Sequence, residues 1–146
     1  MQQQLKARIL LVDDEEEFLV SLKARLEIRG MQVDTAANGE DAISLADRQE
    51  YDAIIVDLSM PGIDGLETLE RIKEINPDAE LIMLTGHATV ESGIKAMKKG
   101  AGDFLQKPVD LADLLQKIGE AKDRRIHLLE KKSQEELDQI LKSRGW

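Results

Sequence analysis

The sequence predicts an α/β fold, a doubly wound parallel sheet of five strands in the order 2-1-3-4-5 with helices on both faces. Two observations support this prediction. Apolar runs of strand length alternate with segments whose apolar residues recur at helical spacing, and this alternation occurs five times. The third run is almost wholly apolar, as expected of a central strand that helices cover on both faces. Right-handed crossovers then place strands 1 and 3 side by side, at the point where ligands bind.

The amino-terminal part supplies the first two strand and helix pairs. We predict strand 1 at Arg8–Val12, followed by a helix over residues 16–29 that ends at Gly30. The second strand, Gln32–Ala36, is more polar than the first, so we expect it at an edge of the sheet. Asn38-Gly39 has the chemistry of a turn and introduces the second helix.

The third and fourth strands are the most apolar parts of the chain. Strand 3 is predicted over residues 53–58, and Met60-Pro61-Gly62 breaks the chain before a third helix. We expect that helix to end near Asn76-Pro77, because proline cannot continue a helix. Strand 4 follows at Leu81–Thr85.

The remaining part completes the sheet and adds a charged segment. A helix over residues 90–99 ends at Gly100, strand 5 is the short run Asp103–Gln106, and the last helix begins near Asp110. Beyond residue 121 the chain becomes strongly charged. We therefore expect residues 1–121 to form the domain and residues 122–146 a charged helical extension.

The composition is typical of a soluble protein of one domain. The chain has 146 residues, of which 42% are hydrophobic and 34% charged, and this length can bury a core without disulfides. No apolar stretch approaches the roughly 20 residues of a membrane span. Met1-Gln2-Gln3-Gln4 lacks the profile of a signal peptide, so we expect a cytoplasmic protein. The absence of cysteine excludes thiolate metal sites, and the net charge of -9 argues against direct binding to nucleic acid.

Polar residues follow four of the predicted strands at the point where each strand ends. They are Asp13-Asp14 after strand 1, Asp57 in strand 3, Thr85 at the end of strand 4 and Lys107 after strand 5. Because the carboxyl ends of parallel strands meet at one edge of a sheet, we expect these side chains to converge. Three carboxylates brought together repel one another unless a cation lies among them, and Mg²⁺ prefers oxygen ligands. The pattern predicts a site for a divalent cation and a transferred phosphoryl group.

Each of these residues also has a structural interpretation when it is taken alone. Asp14 with Glu17 can form a capping box at the start of the first helix. Thr85 can be a strand-end hydroxyl with its hydrogen bonds satisfied, and Lys107 a solvated loop lysine. Because Lys107 precedes Pro108, its backbone is restricted away from the helical region, and a cis peptide bond is allowed there. The combination of all these residues at one edge favours the functional interpretation.

At these residues the chain resembles the receiver domain of the response regulators of two-component signalling. The resemblance covers about residues 8–121. It depends on the acidic pair, Asp57, Thr85 and Lys107-Pro108, together with Met60-Pro61-Gly62-Ile63-Asp64-Gly65 after strand 3. It implies a flavodoxin-like fold and a phosphorylation-controlled switch that catalyses only its own phosphoryl transfer and dephosphorylation.

The resemblance also implies a role for each residue of the site. Asp57 would be the phosphoacceptor. Asp14, Asp57 and the main-chain carbonyl of Ser59 would bind Mg²⁺, or Mn²⁺, and Asp13 would assist through water or by orienting Asp14. Thr85 and Lys107 would contact the phosphoryl oxygens.

Further positions and the partners follow from the same resemblance. Phe104 matches the switch aromatic residue, for which a core phenylalanine is the structural alternative. Ser59 and His87 occupy the two positions that tune dephosphorylation, although His87 can equally be an exposed loop histidine. The partner would be a sensor histidine kinase or a phosphotransfer protein. A homodimer through helix 4, strand 5 and helix 5 is also expected.

Three other functions compete with this one. A phosphohydrolase of the haloacid-dehalogenase type needs a second Asp two residues after the nucleophile, where this chain has Ser59. A flavodoxin-like protein that binds FMN needs a phosphate loop rich in Ser, Thr and Gly after strand 1, where the acids at residues 13–17 would repel a phosphate. A degenerate receiver that acts only as a scaffold is disfavoured because every site position is filled.

The segment after residue 121 allows three interpretations. Ser133 and Glu136 resemble a fresh capping box, ahead of a second short helix that stops at Gly145. The segment can fold back loosely on the domain, form a dimerising or partner-binding helix, or begin a linker to an effector. Residues 86–89 and 104–109 are similar to receivers that precede ATPase-type transcription activators, which agrees with the third interpretation.

Overall fold

The computed structural model describes residues 6–86 and 90–144, and it shows the predicted α/β architecture. All strands of the described residues belong to one parallel sheet with the order β2-β1-β3-β4-β5. The strands are β1 Arg8–Val12, β2 Gln32–Ala36, β3 Ala53–Asp57, β4 Leu81–Thr85 and β5 Asp103–Gln106. The helices are α1 Glu16–Ile28, α2 Gly39–Arg48, α3 Gly65–Ile75, α4 Val90–Lys98 and α5 Leu111–Ser143. The strand order, the edge position of β2 and the alternation of strands and helices confirm the prediction.

The helices cover both faces of the sheet because alternate residues of the central strands point to opposite sides. Ile55 of β3 packs in one apolar cluster with residues of α1 and α5, including Leu26 and Ile118. Ile54 of the same strand packs in a second cluster with residues of α2, α3 and α4, including Leu69. Every residue of β3 and β4 is buried, which explains their uninterrupted apolar sequence.

The register of the sheet aligns the ends of the strands that carry polar residues. Val12 of β1 pairs with Val56 of β3, so Asp13 follows at the level of Asp57. Asp57 pairs in turn with Leu84, so Thr85 lies one residue beyond it on β4. This register brings Asp13, Asp57 and Thr85 to one edge of the sheet, at the junction of its two halves.

Helix α5 corrects the prediction for the carboxyl-terminal segment. The predicted capping box at Ser133 is wrong, because α5 runs without interruption from Leu111 to Ser143. The segment also does not fold back. From residue 120 to residue 144 the sequence contains neither glycine nor proline, and most of its residues favour helices. The predicted stop at Gly145 lies outside the described residues, and Arg144 is the C-cap.

Ion pairs hold the first turns of the extension against the domain. Arg125 contacts Asp52 at 3.2 Å and Glu50 at 2.8 Å, and Arg124 contacts Glu80 at 2.5 Å. These ion pairs lie beyond the part of α5 that packs on the apolar core. The predicted domain boundary at residue 121 therefore falls inside a continuous helix. Helix α5 is long, but within the described part of the chain no helix combines the length and the apolar character needed to cross a bilayer.

Candidate functional site

Asp57 lies at the carboxyl end of the central strand β3, with only 5% of its side chain exposed. The backbone N–H of Ser59 donates a hydrogen bond to its Oδ1 over 3.2 Å. Its other oxygen, Oδ2, lies 3.7 Å from Nζ of Lys107. Asp57 is therefore a buried carboxylate with one weak hydrogen bond and one cation near it, but not in hydrogen-bonding contact with it.

Asp13 is held much more tightly than Asp57. Its Oδ2 accepts a hydrogen bond of 2.6 Å from Nζ of Lys107, and its Oδ1 accepts one of 2.9 Å from the backbone N–H of Glu15. Its side chain is 2% exposed. Both oxygens of Asp13 are satisfied, so in this arrangement Asp13 is the direct partner of the lysine.

Asp14 is exposed and is not a helix cap. The N-cap residue of α1 is Glu15, and no side chain makes a capping hydrogen bond there, so the capping-box interpretation of Asp14 is wrong. Asp13, Asp14 and Asp57 instead each offer a carboxylate oxygen, and these oxygens lie within 4.8 Å of one another. The structure brings together the three acids that the sequence predicted to converge.

Lys107 reaches the site from the loop after β5. Its side chain is 14% exposed, and its ammonium lies 4.3 Å from the centroid of the Phe18 ring on α1. Its backbone N–H donates to the carbonyl of Thr85 over 2.7 Å, and the Lys107-Pro108 peptide bond is cis. Lys107 is thus directed into the acidic cluster and is not a solvated loop lysine.

Thr85 and Ser59 lie at the carboxyl ends of β4 and β3, whereas Phe104 packs against α4. Thr85 is buried at the end of β4, with 3% exposure. Ser59 is exposed in the loop after β3. Phe104 of β5 is half-buried and lies beside Gly93 of α4, where an added Cβ would be 3.7 Å from the ring. His87, which the sequence placed at this edge, lies outside the described residues.

The loop between β3 and α3 explains part of the recognised motif in physical terms. Gly62 has φ of +80°, a conformation that residues with a Cβ rarely adopt. A Cβ on Gly65 would lie 2.3 Å from the carbonyl oxygen of Asp57, so the start of α3 can approach the end of β3 only with glycine. Asp64 caps α3 by accepting a hydrogen bond of 2.9 Å from the N–H of Glu67. This loop fixes the backbone that carries Asp57.

Two residues that contact the site were not singled out from the sequence. Glu15 places its Oε1 3.6 Å from Nζ of Lys107, and Phe18 provides the ring beneath the same ammonium. Phe18 fits the apolar spacing of α1, and nothing in helical periodicity shows that this residue faces a lysine about 90 residues away. The acidic run at residues 13–17 was the available signal for Glu15.

The surroundings of the cluster raise the pKa of both Asp57 and Lys107, but for different reasons. Burial raises the pKa of Asp57 above its ordinary 3.8, the charge of Asp13 raises it further, and Lys107 and the Ser59 N–H only partly offset this. Burial lowers the pKa of Lys107, but its hydrogen bond to Asp13 and the charges of Asp13, Asp57 and Glu15 outweigh that effect and raise it overall. The site therefore holds more negative charge than one lysine neutralises.

The donor set fits a divalent cation. Three carboxylate oxygens within 4.8 Å, one of them on an exposed residue, leave a route for a hydrated ion. Burial and then the charge of Asp13 raise the pKa of Asp57, and a bound cation would offset that second effect. The cluster has hard oxygen donors, and the chain has no cysteine, which suits Mg²⁺ better than a soft metal.

Comparison with known proteins gives both a fold and a family. A receiver domain from Clostridium thermocellum superposes with a TM-score of 0.80 and 38% identity, over 84% of this chain and 98% of that one. A response regulator from Burkholderia pseudomallei, described with a phosphorylated aspartic acid and a calcium ion, gives a TM-score of 0.73 and 28% identity over 94% of this chain and 85% of that one. These neighbours share the fold found here.

Curated relatives include the transcriptional regulatory protein PrrA of Mycobacterium tuberculosis, which is 32% identical over 111 residues. The match covers 76% of this chain and 48% of PrrA, so the chain spans about half the length of this relative. The family model for the response regulator receiver domain matches residues 9–119, from the start of the sheet to the part of α5 that packs on the core. With this match added to the sheet order and the acid cluster, the chain belongs to the response regulator receiver domains, a family whose general role is to act as phosphorylated switches.

Proposed function

We propose that Asp57 is the phosphoacceptor of this receiver and that its donor is a sensor histidine kinase or a phosphotransfer protein. One observation carries the proposal: Asp57 alone of the three clustered acids is both buried and without a hydrogen bond from Lys107. Among the described residues, the nearest cation to its Oδ2 is Nζ of Lys107 at 3.7 Å, beyond hydrogen-bonding distance. The Burkholderia relative described with a phosphorylated aspartic acid supports the same chemistry.

The transfer itself needs little covalent chemistry from the protein. An oxygen of Asp57 attacks phosphorus in line, the bond between phosphorus and the donor's histidine nitrogen breaks, and that nitrogen keeps the electron pair and is protonated. Lys107 lies 3.7 Å from Asp57 and can move from Asp13 to the new phosphoryl oxygens. The hydroxyl of Thr85 approaches the same group from β4. Positioning and electrostatic stabilisation therefore account for most of the rate of transfer.

Mg²⁺ is the cation proposed for the cluster, with Mn²⁺ as a substitute. Asp14, Asp57 and the main-chain carbonyl of Ser59 would hold it, and Asp13 would act through water or by orienting Asp14. Bound there, the ion would offset the negative charge that accumulates on the phosphoryl oxygens. Ser59 and His87 are proposed, from the family resemblance, to tune the reaction that removes the phosphoryl group.

The phosphorylated protein acts as a switch for partner binding or for dimerisation through α4, β5 and α5. Phe104 lies in this face, next to Gly93 of α4. Exposed apolar residues of α4, among them Val90 at 82% exposure, give the face a surface that partners can bind. With a net charge of -9, the chain is suited to protein partners and not to direct contact with nucleic acid.

The decisive experiment is labelling by acetyl phosphate with Mg²⁺ and with EDTA. Asp57→Asn should abolish the Mg²⁺-dependent mass increase of one phosphoryl group while the fold is kept, because the amide is a poor nucleophile and a poor cation ligand. Asp47→Asn, at an exposed position of α2, is the matched control and should label as the wild type does. Labelling of Asp57→Asn at the wild-type level would show that another residue is the acceptor.

A further inference from the structure

The part of α5 beyond the domain carries an apolar stripe that nothing in the described chain covers. Five large apolar residues of this part are exposed, and four of them lie in one line at 42–50% exposure: Ile126, Leu129, Leu137 and Ile140. The fifth, Leu141, is 39% exposed and lies beside the line. A shallow groove runs along the first three residues of the line, past Ser133. The ion pairs of Arg125 and Lys132 to the domain lie on a different face of the helix, so the domain does not cover the stripe.

The spacing of the stripe is the same in both directions along the helix. Its positions, 126, 129, 133, 137 and 140, are separated by three, four, four and three residues. Residues 126 and 137, and likewise 129 and 140, are eleven apart, a repeat that keeps a stripe on one side of a nearly straight helix. Ser133 lies at the centre and is small enough to let two backbones approach closely.

We propose that this stripe binds the same stripe of a second copy of the chain, in antiparallel orientation about a two-fold axis at Ser133. In that arrangement Ile126 faces Ile140 of the other copy, and Leu129 faces Leu137. A two-fold interface requires a self-complementary surface, and the symmetric spacing provides one. The contact does not involve the phosphorylation site or the face formed by α4, β5 and the start of α5, so it should form without phosphorylation.

The charges along the helix favour the antiparallel orientation. Residues 122–132 carry five Lys and Arg and two acids, whereas residues 133–144 carry three acids and two Lys and Arg. Antiparallel pairing places the basic half of one copy beside the acidic segment of the other. Parallel pairing places the two basic halves together.

The stripe is about 21 Å long, so the contact is smaller than a standard protein interface. We therefore expect a reversible dimer that depends on concentration. Sedimentation velocity of the unphosphorylated full chain, from micromolar to millimolar concentration, should show the wild type passing from monomer to dimer. Leu129→Glu and Leu137→Lys, measured separately, should each raise the dissociation constant by at least about tenfold.

A mixture of the two variants tests the orientation. In an antiparallel heterodimer, Glu at position 129 meets Lys at position 137, and the other pair remains Leu with Leu, so the mixture should dimerise much more tightly than either variant alone. Gln139→Glu adds the same charge to the same helix away from the stripe, and should leave the dissociation constant unchanged. Circular dichroism should show that all variants keep the helix content of the wild type.

Single cysteines give an independent measurement, because the natural chain has none. Ile126→Cys mixed with Ile140→Cys should form a disulfide-linked heterodimer, and Ile126→Cys alone should not link. A wild type that stays monomeric at millimolar concentration would overturn the proposal. So would a dimer that Leu129→Glu does not weaken, since another face would then hold it. Linking of Ile126→Cys to itself, or a mixture of charged variants that does not associate, would overturn the antiparallel arrangement.

Discussion

Asp13 and Asp57 are both buried acids, but only Asp13 accepts a hydrogen bond from Lys107. Asp13 has a hydrogen-bonded lysine at 2.6 Å, whereas Asp57 has that lysine at 3.7 Å and two like charges nearby. Ionisation of Asp57 is therefore unfavourable to the fold when no cation is bound, whereas the carboxylate of Asp13 has a direct partner in Lys107. Removal of one charge or the other should change stability with opposite sign.

Asp57→Asn should raise the free energy of unfolding in EDTA at pH 7, by more than the roughly 0.5 kcal/mol typical of surface substitutions. The folded-state pKa of Asp57 is raised, so the wild type is relatively most stable where this carboxyl is protonated and loses stability as pH rises above the unfolded value of 3.8. The advantage of the variant should thus grow from about pH 4 upward. Urea titrations at several pH values measure it, and Mg²⁺ should stabilise the wild type more than the variant.

Lys107→Gln should have the opposite effect. It leaves the buried charge of Asp13 without its partner, and should lower the free energy of unfolding at pH 7 by about 1.5–3 kcal/mol. The pKa of Lys107 is raised, so its contribution is complete below 10.5 and is lost as pH rises through the folded-state value. Lys131→Gln on the exposed extension is the matched control. Equal stability of the two variants would show that the Lys107 to Asp13 contact does not stabilise the fold.

At the scale of elements, the junction of β3 and α3 determines where Asp57 lies. A Cβ on Gly65 would lie 2.3 Å from the Asp57 carbonyl oxygen and 2.6 Å from Cα of Leu58, and backbone atoms cannot move away easily. Gly65→Ala should therefore lower the free energy of unfolding by about 1–3 kcal/mol and slow labelling by acetyl phosphate. Gly119→Ala in α5, where nothing lies within 4 Å of the added Cβ, should instead stabilise by about 0.5–1 kcal/mol. Thermal unfolding of the two variants side by side measures both effects.

The strands were predictable from the sequence because burial on both faces leaves a continuous apolar run, as in β3 and β4. The convergence of Asp13, Asp57, Thr85 and Lys107 followed from the parallel sheet alone. The sequence did not predict which acid accepts the hydrogen bond from Lys107. That choice depends on a difference of about 1 Å between two side-chain distances, which residue spacing does not determine. The predicted start of a second helix at Ser133 was wrong. Ser133 and Glu136 fit the local pattern of a capping box, but high helix propensity and ion pairs to the domain stabilise one continuous helix.

At the scale of the whole molecule, Thr85 and Phe104 are the proposed route from Asp57 to the face formed by α4, β5 and α5. A phosphoryl group offers the Thr85 hydroxyl a charged acceptor, and such a hydrogen bond contributes about 1.5–3 kcal/mol. A shift of this size changes the ratio of two conformations by roughly tenfold or more. Movement of Thr85 toward Asp57 would draw the end of β4 with it and allow the Phe104 ring to turn away from Gly93.

Thr85→Ala should still accept the phosphoryl group at Asp57 but should respond to it weakly. With both proteins phosphorylated to the same extent, amide exchange over residues 90–109 should change less in the variant than in the wild type. Thr35→Ala, at an exposed position of the edge strand, is the control and should respond normally. An unchanged response in Thr85→Ala would remove this residue from the route.

Because α5 is continuous, a change in its direction at the domain also moves its far end. Lys117 of α5 contacts Asp103 of β5 at 3.0 Å, next to Phe104, and the helix continues about 33 Å beyond residue 121, with ion pairs to the domain as far as Lys132. A tilt of about 5° at the base, with these ion pairs adjusting to it, would move the far end by roughly 3 Å. The coupling between the far end of α5 and Asp57 acts in both directions, because coupling between two sites is reciprocal. A partner that fixes the direction of the far end would therefore bias the conformation at Asp57, and with it the phosphorylation equilibrium.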